Sequence, residues 1–168
     1  MNHLHSFVLA ITLLVGSVSV ATAQDSRQDL RKGAVAYGAG DFATAFRLHM
    51  PLAEAGDAEA QYFIGSYYKQ GEGVPQDNAE AVKWFRLSSS QGDYISQFTL
   101  GVMYERGIGV LQDNVISHMW YNIGAANGSL MSADSRAEIT KKMTPAAIEA
   151  AQAMARECMS SNYENCGE

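Results

Sequence analysis

The 168-residue sequence has little proline, cysteine or basic charge. It contains three prolines and two cysteines, and 12 Lys+Arg stand against 18 Asp+Glu, for a formal net charge of −6. This acidic balance argues against sequence-independent binding to nucleic acid, which needs a basic surface. The scarcity of proline and the 18% share of charged residues argue against intrinsic disorder. The composition therefore predicts a folded domain, long enough to bury a core, without nucleic-acid partners.

The N-terminus lacks charged side chains before Asp25. Residues 7–20 form an apolar run, and Ala21-Thr22-Ala23 supplies the small residues that a signal peptidase recognises. We predict a signal peptide over residues 1–23, cleaved after Ala23, and hence a periplasmic or secreted protein with no membrane insertion after cleavage. The alternative is an uncleaved membrane anchor over residues 4–23, which is long enough to span a bilayer.

Glycine, in contrast, is abundant, and much of it recurs at a period of 36 residues. The spacing is the same from Gly56 to Gly92 and from Gly92 to Gly128. A constant period without a slip indicates internal repeats. Further pairs at this period are Gln61 and Gln97, Gly65 and Gly101, Tyr68 and Tyr104, Gly71 and Gly107, Gly73 and Gly109, and Trp84 and Trp120.

Each repeat carries the sequence signals of two helices. In the second unit, a helix from Ala58 to Lys69 is broken by glycines and Pro75, and Asp77 is the predicted N-cap of the next helix. Glycine in mid-helix, as at Gly65, costs about 1 kcal/mol relative to alanine, so its recurrence predicts close approach of the partner helix. We predict an all-α fold, a short α-solenoid of antiparallel helix pairs.

The second unit resembles the Sel1-like repeat, a relative of the tetratricopeptide repeat. The third unit departs from the family pattern at Leu111, Ser117 and His118. The resemblance covers residues 28–129 and implies a short tetratricopeptide-like or Sel1-like first unit over 24–56, followed by Sel1-like repeats over 57–92 and 93–129. The residues that carry it are Ala58 to Gly65, Tyr68, Gly71 to Asp77, Ala81, Trp84-Phe85 and Gln91-Gly92-Asp93.

The C-terminal segment, residues 130–168, does not repeat. We predict one helix over residues 132–142 and a second in which Thr144 is the N-cap and Pro145 the first residue. These helices would cap the exposed face of the last repeat. In an exported protein, Cys158 and Cys166 predict a disulfide that holds the tail. A metal site on these thiolates is the weaker alternative, because the histidines of the mature chain lie far away in sequence.

By analogy with the tetratricopeptide repeat, the resemblance implies a concave groove for a partner. Aromatic Tyr62 and Phe98 beside Lys69 and Arg106 would suit an extended or helical peptide with apolar and acidic side chains. Alternatively, the aromatics pack between adjacent first helices. The implied groove residues are Glu59, Tyr62, Ser66, Lys69 and Gln70 in the second unit, and Ile95, Phe98, Val102, Glu105 and Arg106 in the third.

We therefore predict a non-catalytic module for protein–protein interaction, an adaptor or regulator in the bacterial cell envelope, with no metal or cofactor. One alternative is a weak penicillin-binding or β-lactamase-like hydrolase, because Ser66-Tyr67-Tyr68-Lys69 fits the Ser-x-x-Lys pattern. The companion Ser-Asp-Asn and Lys-Thr-Gly elements are absent from the sequence. Another alternative is a chain that is stable only as an oligomer, since so few repeats make a short solenoid.

Overall fold

The computed structural model describes residues 24–163 and residue 166, and every regular element within them is helical. This confirms the predicted all-α class. The predicted signal peptide lies outside the described residues. No helix in the described ranges is both long and apolar enough to cross a membrane. The helices are α1 (24–38), α2 (Phe42–Glu54), α3 (Ala58–Gln70), α4 (Asn78–Ser89), α5 (Tyr94–Arg106), α6 (Asn114–Ala126), α7 (Leu130–Thr140) and α8 (Pro145–Ser160).

Capping residues set the helix starts at the 36-residue period. Asp41, Asp77 and Asp113 precede α2, α4 and α6, and each carboxylate accepts a hydrogen bond from a first-turn backbone N–H. Such side chains satisfy amide groups that have no partner within the helix. Two further caps, Asp57 and Asp93, begin α3 and α5 in the same way. The predicted cap at Asp77 is confirmed, and the caps recur at the same period as the units.

Neighbouring helices pack in pairs along the chain as a solenoid. The closest pairs are α3 with α4 and α5 with α6, while α2 packs on α3 and α4 on α5 to join successive units. The helices α7 and α8 both pack on α6 and make little contact with each other. They differ in this from the pairs before them, as expected of a C-terminal cap.

The C-terminal tail is fastened to this cap. A disulfide joins Cys158, which is fully buried in α8, to Cys166, and so confirms the predicted bridge. The side chains of Tyr163 and Asn127 are also joined, with the Asn127 amide donating to the tyrosine hydroxyl at 2.9 Å. The start of α7 at Leu130, two residues before the predicted one, has a local cause: the serine at 129 caps it.

Glycines shape the loop between the two helices of each unit. Gly71 ends α3 in the left-handed conformation at φ 73°, which a side chain disfavours. Gly73 adopts φ 74° and also lies against the start of α2, where an added Cβ atom would come 2.5 Å from the Phe42 carbonyl oxygen. The loop of one unit thus packs directly on the second helix of the unit before it.

Candidate partner-binding surface

A ring packed on a glycine holds together the helices of the second and third units. An added Cβ atom at Gly65 would lie 2.8 Å from the Phe85 ring, and one at Gly101 would overlap the ring of Tyr121. Real Cβ atoms do not come this close to a neighbour, so glycine is required at both positions. The predicted close approach of the partner helix is confirmed.

In the first unit a histidine takes the place of this ring. His49 precedes Phe85 by 36 residues, is fully buried and lies over Gly33. Its Nε2 donates to the Leu30 carbonyl oxygen at 3.1 Å, so in the neutral ring Nδ1 accepts from the Tyr67 hydroxyl at 2.9 Å. Burial lowers the pKa of His49. The neutral imidazole therefore serves to join α1, α2 and α3.

Buried amides fasten each unit to the one before it. The Gln61 side chain donates from Nε2 to the Ala53 carbonyl oxygen at 3.1 Å. One period later, Gln97 donates to the Ser89 carbonyl oxygen at the same distance. Because a buried amide without a partner is costly, these bonds fix how α3 and α5 sit on the preceding helices. The first helices of successive units therefore present their outer residues side by side.

Tyr62 and Phe98 occupy equivalent, half-buried positions on α3 and α5. The centroid of the Tyr62 ring lies 6.0 Å from that of Phe85, and the centroid of Phe98 lies 5.9 Å from that of Tyr121. Each ring thus rests on the aromatic side chain that covers the mid-helix glycine, and each keeps part of its surface exposed. Both contribute to the core of their own unit and to its surface.

A surface cavity of about 520 Å³ lies between the starts of α3 and α5. Three predicted groove residues line it, namely Glu59, Tyr62 and Ile95. Phe63 and Tyr94, which the sequence did not single out, line it as well. Four of these five side chains are largely apolar, so the cavity suits an apolar group of a ligand. Two carboxylates also line it: Glu59, and Asp93, which is engaged as the cap of α5.

The opposite end of the same helices is basic. Lys69 lies in the last turn of α3, and Arg106 is the last residue of α5. Within the described part of the chain, neither side chain forms an ion pair. Glu105, in contrast, accepts from the Tyr121 hydroxyl at 2.9 Å and lies 3.3 Å from the Lys142 ammonium. The two cations are therefore open to a ligand, whereas the carboxylate is engaged inside the molecule.

The remaining predicted residues lie beyond the cavity, toward or at the basic end. Ser66 and Val102 are half-buried at equivalent positions, and Gln70 is exposed at the end of α3. The Ser66 hydroxyl donates to the Tyr62 carbonyl oxygen at 3.0 Å, one turn back in its own helix. No hydrogen bond joins Ser66 to Lys69 within the described ranges. None of these residues lines the cavity.

Groups that could hold a metal ion are absent from residues 24–163 and 166, where no three His, Cys, Asp or Glu side chains come together. The two histidines of this region lie in different units. His118 takes the position of Val82 in the preceding unit, is buried, and has no hydrogen-bond partner for Nδ1 among the described residues. Burial, with a smaller effect from the positive charge of Arg136, lowers the pKa of His118.

Among the exposed apolar side chains at helix starts, Ile95 belongs to the predicted groove, whereas Tyr94, Leu130 and Met131 were left out of it. Tyr94 is 44% exposed and Ile95 37% at the start of α5. Leu130 and Met131, 36 residues later at the start of α7, are 82% and 55% exposed. Extending the 36-residue register into the C-terminal segment is the signal that would have found them.

Comparison with known proteins agrees with this architecture. The family model described as Sel1 repeat matches residues 58–93 and 95–129. A crystal structure of a Sel1 repeat protein from Oxalobacter formigenes aligns with a TM-score of 0.62 at 29% identity, covering 74% of this chain and 97% of that one. No curated protein sequence matches the chain.

A second structural neighbour is a protective antigen of uropathogenic Escherichia coli with an SLR fold. It aligns with a TM-score of 0.78 at 24% identity over 85% of this chain. The present chain spans 32% of the length of that antigen. At this identity the likeness concerns the fold.

The repeats identify the kind of molecule. Sel1 repeat folds generally serve as modules for protein–protein interaction. The matched repeats coincide with the two units whose helices, glycines and covering rings recur at a period of 36 residues. Residues 58–93 and 95–129 of this chain are two Sel1 repeats.

Proposed function

We propose that this protein is a non-catalytic interaction module, an adaptor or regulator, that binds a peptide segment of a partner protein on the concave face formed by its first helices. The observation that carries the proposal is the surface of α3 and α5, which has an apolar cavity at one end and two unpaired cations, Lys69 and Arg106, at the other. Such a surface can select a ligand by shape and by charge together.

The spacing of these features defines the peptide. Tyr62 precedes Lys69 by seven residues, which is about 10 Å along a helix. An extended peptide rises about 3.3 Å per residue, so an apolar side chain in the cavity and an acidic side chain at the basic end would be about three residues apart. The partner segment therefore carries a large apolar residue followed or preceded at that distance by Asp or Glu.

We further propose that the protein works in the bacterial cell envelope, in the periplasm or as a secreted protein. The disulfide between Cys158 and Cys166 supports this location, because such bonds persist in oxidising compartments. The apolar N-terminal segment supports it as well. The intact mass of protein recovered from the envelope tests both points: we expect a chain that starts at Gln24 and has no free thiol.

Binding is tested by a pull-down from envelope extract with the wild type and with Lys69→Glu/Arg106→Glu. Both side chains lie near helix ends, so the charge reversal leaves the core intact. We expect specific partners of the wild type to be lost, and to be retained by the control Lys83→Glu, which changes an exposed cation on α4. A Tyr62→Ala/Phe98→Ala variant probes the two half-buried rings of the surface, of which Tyr62 lines the cavity. Identical partner lists for all variants would contradict the groove.

The geometry of Ser66 also supports a non-catalytic role. A serine nucleophile needs a general base within hydrogen-bond reach, whereas the Ser66 hydroxyl donates to a backbone carbonyl of its own helix. Incubation with a fluorescent penicillin tests the hydrolase alternative. We expect no covalent labelling, and stoichiometric labelling that disappears in Ser66→Ala would overturn the proposal.

A further inference from the structure

The N-terminal halves of α1, α3, α5 and α7 form a row of exposed side chains that changes from basic on α1 to apolar on α7. Among the described residues, most of the exposed large apolar side chains at helix starts belong to α5 and α7. They occupy the same two positions of each helix, 94 and 95 in α5 and 130 and 131 in α7. In α3 the corresponding residues are Ala58 and Glu59. The row is thus apolar on the C-terminal side and becomes polar toward the N-terminus.

The opposite end of the row carries unpaired positive charge. Arg27 and Arg31 are exposed on α1, one turn apart, so they share a face of the helix. Within the described ranges neither forms an ion pair, whereas the nearby Lys32 pairs with Asp29 at 2.9 Å. With Glu59 at their edge they line a cavity of about 310 Å³ between α1 and α3. Their guanidinium groups suit carboxylates, which they can bind with two parallel hydrogen bonds.

From this gradient we propose that the helix starts form one docking strip for a segment of a partner protein that is acidic at one end and apolar at the other. The inference rests on the proposed function, since it presumes a protein partner; it shares Tyr94 and Ile95 with the cavity and extends from there to α1 and α7. The strip consists of Arg27, Arg31, Tyr94, Ile95, Leu130 and Met131.

The length of the strip determines the size of its ligand. Because neighbouring helix axes cannot lie closer than about 8–10 Å, the four starts span about 25–30 Å or more from α1 to α7. An extended segment of about nine residues covers that distance. A small molecule cannot reach both ends, and a partner segment can bury its apolar side chains on α5 and α7 while its carboxylates meet α1.

Charge and layout favour a protein partner over a lipid surface. Helices that lie on membranes carry their cations beside the apolar face. Here the arginines and the apolar side chains occupy opposite ends of the strip, separated by α3 with Glu59. The net charge of −6 also opposes attraction to an anionic bilayer. Contiguous exposed apolar residues next to polar ones are typical of protein interaction sites.

The test uses two fluorescent 12-residue peptides of identical composition, bound to the full chain and followed by anisotropy. One peptide has its Asp and Glu residues at one end and its Leu and Phe residues at the other; the second peptide interleaves them. We expect the first to bind at least about tenfold more tightly. Leu130→Ser/Met131→Ser should weaken its binding about tenfold or more. The matched control is Leu111→Ser, which changes a side chain that is 90% exposed in a loop away from the strip.

The charged end is tested separately with Arg27→Glu/Arg31→Glu. This variant should weaken binding and reduce its dependence on salt, because screening acts on the lost attraction. Lys32→Glu, on the same helix, should have little effect. The proposed strip would be overturned by equal binding of the two peptides or by no binding of either. Equal losses of binding in Leu111→Ser and Leu130→Ser/Met131→Ser would also overturn it.

The remaining outcomes distinguish the strip from the groove of the proposed function, and a protein partner from a second copy of the chain or a membrane. Binding that is lost in Tyr62→Ala/Phe98→Ala but unchanged in Leu130→Ser/Met131→Ser would overturn the strip and leave the proposed function standing. Light scattering that shows self-association of the wild type, abolished by Leu130→Ser/Met131→Ser, would assign the surface to a second copy instead. Binding to vesicles of anionic lipid, lost in the same variant, would assign it to a membrane. Both results would overturn the inference.

Discussion

The second and third units have the same backbone plan, but their interiors differ in polarity. Ala81, Val82 and Phe85 on α4 are buried and apolar. The residues 36 positions later on α6 are Ser117, His118 and Tyr121, which are equally buried but polar. Helix lengths and caps are nearly the same in the two units. The repeat thus fixes helix lengths and caps more closely than it fixes the polarity of the buried side chains.

Two of these three polar residues on α6 form a hydrogen bond to α5. The Ser117 hydroxyl donates to the Gly101 carbonyl oxygen at 2.8 Å, and the Tyr121 hydroxyl donates to Glu105 at 2.9 Å. The position of His118 differs, because its Nδ1 has no partner among the described residues. Buried polar groups are tolerated when they are paired and destabilise when they are not. We therefore expect Ser117 and Tyr121 to leave the stability of the third unit nearly unchanged, and His118 to lower it.

The largest effect should come from the feature that the two units share, the ring over the glycine. Phe85→Ala is expected to lower the free energy of unfolding by about 4 kcal/mol, because it leaves a cavity in the core. Tyr121→Ala should cost a similar amount. Urea unfolding followed by circular dichroism measures both. A change of less than about 1 kcal/mol in either variant would show that the ring is not the main contact of its unit.

A double-mutant cycle tests the contact itself. Gly65→Ala should destabilise the wild type, although alanine favours helices by about 1 kcal/mol, because its Cβ atom meets the Phe85 ring. In the Phe85→Ala background the same change should become stabilising. Gly38→Ala is the control, since nothing lies within 4 Å of a Cβ atom at that position. The same sign in both backgrounds would contradict the packing.

The next largest effect should come from the disulfide, which should stabilise the third unit more than the second. The third unit is covered on its C-terminal side by the cap that holds Cys158. Cys158 lies in a core cluster with Trp120 on α6 and Phe85 on α4, whereas the buried apolar residues of α3 belong to a second cluster. Cys158→Ala/Cys166→Ala should lower the free energy of unfolding by about 2–3 kcal/mol on the loop-entropy model. Hydrogen exchange locates the loss: amides of α6 should lose protection before those of α3. Equal loss in both helices would indicate that the solenoid unfolds as one block.

Much of this arrangement could be predicted from the sequence, because the 36-residue period encodes local rules. The cap at Asp77, the left-handed Gly71 and the mid-helix Gly65 each depend on a few neighbouring residues. The role of His49 was hidden, since the first loop is shorter: Gly33 precedes His49 by 16 residues, while Gly65 precedes Phe85 by 20.

The surface was harder to predict than the helices. Glu59, Tyr62 and Ile95 do meet at one cavity, because the register brings equivalent positions side by side. Ser66 and Val102 are half-buried away from it. Which positions of a first helix reach the surface depends on how far each unit rotates against the next, and that rotation is set by many packing contacts rather than by any local motif.

A smaller effect should follow from His118, the titratable one among the buried polar groups of the third unit that lack a hydrogen-bond partner among the described residues. Its folded-state pKa is lowered by burial, so the folded protein binds fewer protons than the unfolded chain. The free energy of unfolding should therefore be steady above about pH 6.5 and fall as the pH drops below it, by up to about 1.4 kcal/mol per unit for each such histidine. Urea unfolding between pH 5 and 7.5 measures the slope.

Two exchanges between the units test this dependence. His118→Val should reduce the slope by about half, with the rest due to His49, whose pKa is also lowered. The reciprocal Val82→His should introduce a similar dependence into the second unit. An unchanged slope in His118→Val would show that this histidine is not protonated on unfolding in that range.

The smallest effect should come from Tyr121→Phe, which gives the third unit the same ring as the second. The hydroxyl bond to Glu105 is lost, while the ring over Gly101 is kept. Glu105 is partly exposed and retains Lys142 at 3.3 Å, so its carboxylate stays solvated and paired. The net loss is expected to be about 1 kcal/mol or less, in urea unfolding at pH 7. In the opposite exchange, Phe85→Tyr, the added hydroxyl has no equivalent carboxylate to bind, because the residue one period before Glu105 is Lys69. A loss above about 2 kcal/mol in Tyr121→Phe would mean that the two rings are not equivalent and that the third unit depends on its polar contact.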